Sequence, residues 1–254
     1  MFKIDLAESF PQLSRAPIIE AIIGITARAE SAWEESVISG QLKQRLPDYP
    51  SVQSHHEIRH ELMLAADAQP EQAVHDMGWR GLRCESADKL HIAQFNRDGF
   101  SFSRLKPYQN WEQFYQEGLR LWKLYNVIAQ SSEIQRIGLR FINRIEFSQD
   151  EVKLEDYLEN PPKPPRGMEV PFAGFLHHNT LSIPGHPYGI NVIQTIQPSQ
   201  GADVSWGVIL DIDVFTTEPI DNQKLIEQHL IKMRWLKNKV FFGSITSKTL
   251  ELLK

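Results

Sequence analysis

Cysteine is nearly missing: Cys84 stands alone in 254 residues. An internal disulfide is therefore excluded, and such usage fits a reducing compartment. No apolar stretch approaches the roughly 20 residues that a membrane-spanning helix needs. Met1 to Leu13 contains Asp5 and Glu8 and lacks a cationic segment leading into an apolar run, so it does not read as a secretory signal. Neither a Walker loop nor a Gly-x-Gly-x-x-Gly turn occurs; Gly78 and Gly81 flank Trp79 and Arg80 without either motif. No serine sits in a Gly-x-Ser-x-Gly elbow, and Cys84 has no nucleophile signature around it. Excess positive charge is absent as well. The formal net charge of −5 gives no general attraction to nucleic acid or anionic membrane. The expectation is a soluble cytoplasmic protein with no recognised catalytic motif and no indicated cofactor.

What is present is ordinary for a folded domain. Hydrophobic residues make up 41% and charged residues 23% of the chain, enough to bury a sizeable core as one domain over 1–254. The organising stretch is Gly138 to Phe147, which alternates with period two. Leu139, Phe141, Ile145 and Phe147 share one face, with Asn143 among them; Arg140, Ile142, Arg144 and Glu146 share the other. Its β-branched and aromatic content makes it a strand. Pro17 to Ile25 is apolar on both faces except at Glu20, as a central strand would be.

The other elements follow from local signals. Residues 1–16 read as an arm docked through Phe2, Ile4, Leu6 and Phe10. Ser31 to Leu46 reads as a helix capped by Ser31, with Glu34 at the capping-box position and Pro47 as its stop. Trp33, Val37, Leu42 and Leu46 would be its buried side. Ser51 to Ala66 fits strand or helix, with strand preferred. Trp79–Cys84 and Lys89–Phe95 read as short strands, and Asn96-Arg97-Asp98-Gly99 as the hairpin turn into Phe100–Leu105. The clearest helix runs from Trp111 to Ile128 with Asn110 as cap. Phe114, Tyr115, Gly118, Leu121, Trp122 and Tyr125 recur along it at helical spacing. So broad an aromatic side calls for an apolar platform, which an antiparallel sheet provides. Asp156 to Leu158 reads as a helical turn. The proline-rich stretch 161–167 reads as a surface connection. Strands follow at Phe172–Ile183, Tyr188–Ile196 and Trp206–Phe215. A last long helix, Gln223 to Phe242, opens at Asp221 or Asn222, and a short helical piece ends near Leu253.

The predicted fold is α+β: a large, mainly antiparallel sheet with the two long helices on one face. The order of elements in 17–130 returns in 134–254, as two degenerate β-α-β-β-β-α units would give. Five segments together resemble a sporadically distributed bacterial protein family with no assigned activity. They are Pro17 to Ala21, Pro107-Tyr108 with Trp111 to Phe114, Gly138 to Ile145, Leu210 to Val214, and Lys237 to Thr246. The resemblance spans nearly the whole chain. It implies a stand-alone module linked to mobile-element or defence genes, and carries over no catalytic residue.

Candidate chemistry lies first in charges on strands. Glu20, Arg140, Arg144, Asp211 and Asp213 would meet if their strands share a sheet, with Asn143 in support. Arginine forks there could hold a phosphate or carboxylate, and Asp211 with Asp213 could hold a divalent metal; the plainer reading is a self-neutralising ion network. His55, His56 and His60 lie in one segment and His177 with His178 in another. His56 and His60 share a face on a helix or on the preferred strand and could share a metal. No cysteine lies nearby in sequence, and solvated surface histidines are the plainer reading, so no metal is assigned. Arg97, Arg104 and Lys106 near Tyr108 read as a solvated hairpin. The function expected is a binding or regulatory module, with a protein partner or a second copy as its companion. A small-molecule or nucleotide enzyme built on the Arg/Asp cluster is the alternative, and a nucleic-acid binder, disfavoured by charge, the third.

Overall fold

In the computed structural model the strand Ile18–Thr26 (β1) lies at the centre of a nine-stranded sheet. The structure describes residues 2–63, 71–131, 133–147, 153–168, 170, 172–198, 206–220 and 225–254. After β1 come the helix Glu35–Arg45 (α1) and four strands: Ser51–Met63 (β2), Glu71–Glu85 (β3), His91–Asn96 (β4) and Gly99–Leu105 (β5). The long helix Trp111–Ala129 (α2) leads into Arg136–Phe147 (β6). A 3-10 turn at Leu154–Asp156 precedes Leu176–Ser182 (β7), Tyr188–Pro198 (β8) and Trp206–Thr216 (β9). Helices Ile226–Ser244 (α3) and Ser247–Leu253 (α4) follow. The strand order is β2-β3-β4-β5-β1-β6-β9-β8-β7, and every neighbouring pair is antiparallel.

Strict alternation gives this sheet two unlike faces. On β1, Ala21, Ile23 and Ile25 are buried while Glu20, Ile22 and Gly24 are only partly so. The register carries the buried face across Phe100 and Phe102 on one side and across Leu139 and Phe141 on the other. All three long helices pack on this face. α2 is started by the Asn110 side chain, which accepts from the Gln113 N–H, and ends where Gln130 turns left-handed at φ 53°. Its aromatic stripe seats on β5 because residue 118 is glycine: a Cβ there would stand 2.6 Å from Ile23 Cδ1. α3 covers β6 and β9, and α1 covers β2 and β3. Ile38 and Leu42 of α1 join Leu82, Cys84 and Phe95 in one continuous core.

The arm 2–16 is docked as expected, with a difference in detail. Phe10 stacks on Phe242 at 5.5 Å, Phe2 meets the edge of Trp235 at 5.9 Å, and Glu8 pairs with Lys239 at 2.7 Å. Ile4 packs on the core, whereas Leu6 remains 53% exposed. α1 begins at Glu35 instead of Ser31. The Ser31 hydroxyl donates to the Ile128 carbonyl at 2.8 Å, so it ties the loop to α2 instead of capping α1. On α1 Val37 is exposed and Ile38 is buried, whereas the sequence pattern places Val37 on the buried side. β3 extends well before Trp79 because β2 continues to pair with it along its length. β7 starts only at Leu176; Phe172 and Phe175 pack edge to face on each other instead.

Candidate functional site

The face opposite the helices is the less buried one: Glu20, Ile22, Arg140 and Ile142 are only partly buried. Its centre is β6, with β1 on one side and β9 on the other. Glu20, Arg140, Arg144, Asp211 and Asp213 all lie on this face, as predicted from their alternation. Arg140 holds Asp211 with two parallel bonds, Nε to Oδ1 at 2.8 Å and Nη2 to Oδ2 at 2.5 Å. This charge-assisted fork holds the Arg140 guanidinium above its ordinary range, against the opposing effect of burial. Asp211 is 6% exposed, so the arginine is its main compensation for lost water.

Asp213 is engaged by Arg136, Nη2 to Oδ2 at 2.8 Å. The alternation of β6 reaches back to this residue, and a longer window on the sequence would have included it. Arg136 passes over Gly138, where a Cβ would come within 2.8 Å of Nη1, and its guanidinium lies 4.8 Å above the Phe215 ring. The Phe215 ring in turn covers Gly189, where a Cβ would stand 2.5 Å from it. Arg144 does not join this group. Its guanidinium lies across Gly207, 3.5 Å from Glu146 and 3.4 Å from the Gln197 carbonyl oxygen. Glu20 stands near enough to Arg140 to favour its charge. Asn143 is buried on the helix face, as its alternation gives, and its Nδ2 donates to the carbonyls of Phe141 and Leu210, so it does not support the charged group as expected. It braces the β6–β9 ladder and takes no part in the open face.

The remaining candidates separate. His55 and His56 are exposed, and the His60 side chain lies outside the described residues. His177 and His178 point to opposite faces of β7. Among the described residues no group of three or more His, Cys, Asp or Glu is placed to hold a metal ion. Cys84 is buried, which pushes its thiol up to about 12, far from a nucleophile's range. Arg104 corrects the solvated-hairpin reading. It is 6% exposed on the helix face, and Nη2 donates to the Pro107 carbonyl at 3.0 Å.

Sequence reasoning did not single out Lys237. Its Nζ sits 4.1 Å over the Phe141 ring with no acidic partner among the described residues. Burial, reinforced by Arg234 one turn earlier, pushes its ammonium down to about 7. A cleft of about 470 Å³ is lined by Arg28, Glu30, Arg97 and Glu133, among others. It lies at the end of β1 and contains none of the six predicted residues.

No protein-family model matches the chain, and no curated protein matches it.

Proposed function

We propose that this chain is a non-catalytic binding module that presents the open face of its sheet to a protein partner. One observation carries the reading: the charges at the centre of that face are committed to one another. Among the described residues, the Arg140–Asp211 and Arg136–Asp213 pairs take up both aspartates as potential bases or metal ligands, with Glu20 beside them. An acid–base or nucleophilic site needs a group whose proton or lone pair is available. A recognition surface needs only fixed polar groups in a patterned, partly apolar setting, and Ile22, Ile142 and Ile193 supply the apolar part between the charged rows.

The resemblance to an uncharacterised bacterial family supports a cytoplasmic regulatory or neutralising member of a two-gene system, linked to mobile-element or defence genes. The outward order of strands supports descent from two repeated units: β5, β4 and β3 on one side of the β1–β6 pair answer to β9, β8 and β7 on the other. Purification from native cells followed by mass spectrometry tests the functional reading. A stoichiometric protein partner whose retention is lost on altering Ile142 or Arg140 supports it. A bound nucleotide, metabolite or metal, turned over on incubation, replaces it with the enzyme reading.

A further inference from the structure

Two strands end the sheet, β2 and β7, and they are unlike. Edge strands present unpaired N–H and C=O groups, which proteins ordinarily protect with charge, proline, bulges or a covering segment. β2 carries Glu57, Arg59 and Glu61 in its sequence. β7 is Leu-His-His-Asn-Thr-Leu-Ser, with no Asp, Glu, Lys, Arg or Pro. It pairs with β8 without a register shift. All but one of its residues are exposed, Leu176 to 74% and Leu181 to 44%.

The hydrogen-bond parity of β7 is fixed by the turn that follows it. The Ile183 N–H donates to the Tyr188 carbonyl at 3.0 Å, so those residues form a hydrogen-bonded pair. Bonded and non-bonded pairs alternate along an antiparallel ladder. Leu181, Asn179 and His177 therefore bond to β8, while Ser182, Thr180, His178 and Leu176 direct their backbone groups away from the sheet.

We propose that β7 is a homodimer edge, on which a second copy of this chain adds its own β7 antiparallel. The occupant follows from self-complementarity. A bonded antiparallel pair needs outward groups on both residues, so even-numbered residues must face even-numbered ones. Directly opposed residues point to the same face of a sheet. The twofold axis is consequently normal to the sheet, both helix layers lie on one side, and the two open faces join. A register centred on Asn179 uses the whole strand: Leu176 faces Ser182 and His178 faces Thr180. No like charges meet, because the strand carries no acidic or basic side chain other than its histidines. The product is an eighteen-stranded sheet, nine strands from each copy, closed by an isologous contact. This inference does not depend on the binding reading above.

Sedimentation equilibrium of the full chain and three variants tests it. The wild type should be a dimer. Thr180→Pro deletes an outward N–H, leaves the backbone bonds to β8 in place while losing the hydroxyl's bond to Asn191 Oδ1, and should give a folded monomer by circular dichroism. Thr180→Lys, which adds charge to the edge, should do the same and serves if the proline variant does not fold. Asn179→Cys should crosslink to its own counterpart on oxidation, because a non-bonded antiparallel pair brings Cα atoms to about 4.5 Å. The buried Cys84 does not compete. A monomeric wild type at every concentration overturns the proposal. So does a dimer that survives both edge variants and fails to crosslink through residue 179, and so does a β7 edge that holds some other extended peptide in place of a second copy.

Discussion

Arg140 stands directly opposite Asp213 in the β6–β9 register, yet its guanidinium forks onto Asp211, two residues along β9. Asp213 is already taken by Arg136, which reaches it across Gly138. The two bridges are thus diagonal and interlocked: each arginine occupies the partner that simple opposition would give to another residue. Diagonal neighbours in a sheet lie within reach of long side chains.

Breaking one half of the fork should cost more than removing both. Arg140→Met leaves Asp211 buried and uncompensated, which we expect to lower stability by roughly 2–4 kcal/mol in urea denaturation. The double variant Arg140→Met with Asp211→Leu should recover most of that loss. Equal losses in the single and double variants would show that the charge pair is not what matters there.

Gly138→Ala tests the lane through which Arg136 reaches Asp213. The added methyl would displace the guanidinium, and the expected loss is about 1 kcal/mol. In a background already carrying Arg136→Ala the same substitution should cost little, since nothing then crosses the glycine. A double-mutant cycle reads the difference; strict additivity would refute the arrangement.

Gly118→Ala pits helix propensity against packing. Alanine favours α2 by up to about 1 kcal/mol, but its Cβ meets Ile23 Cδ1 at 2.6 Å. Overpacking of this kind typically costs about 1–3 kcal/mol, so a net destabilisation is expected. Ile23→Val deletes the clashing methyl and should rescue the variant. Chemical denaturation of the four proteins decides it.

Lys237 gives a pH signature. The unfolded chain keeps this proton up to about pH 10.4, whereas the folded chain releases it near 7. Between those values the unfolded state binds more protons, so this group makes stability rise with pH, and its penalty is fullest below pH 7. Lys237→Met should therefore raise stability by on the order of 2–4 kcal/mol at about pH 6. The gain should shrink towards zero near pH 10. Thermal melts across that range would expose a purely steric effect as a gain independent of pH.

The docked arm predicts a graded series. Phe10→Ala, which empties the stack on Phe242, should lower stability by about 1–3 kcal/mol. Leu6→Ala, at a side chain more than half exposed, should stay within about 0.5 kcal/mol. A large effect at Leu6 would mean that the arm is held differently.

The alternation of Gly138 to Phe147 and the aromatic stripe of Trp111 to Ile128 determined, from the sequence alone, that a strand and an amphipathic helix form there and which face each buries. Periodicity is a local property, so it survives without knowledge of the neighbours. The α+β class followed, because so broad an apolar helix face must be covered and an antiparallel sheet can cover it. The same alternation placed Arg140, Arg144, Asp211 and Asp213 on one face. It could not give their partners. Which carboxylate each arginine takes depends on strand order and register, which no single strand encodes and which decide what the glycines at 138 and 207 leave room for. Ser31 shows the same limit: its capping potential was legible, but the end of α2 lay close enough to claim the hydroxyl. Lys237 was legible only as a helix residue, because the loss of water that makes its amine unusual exists only once α3 lies on Phe141. The uncharged composition of β7 could be read from the sequence, but its place at the sheet edge was decided by the crossing of β6 to β9 and the return through β8, contacts between distant segments that only the assembled sheet brings together.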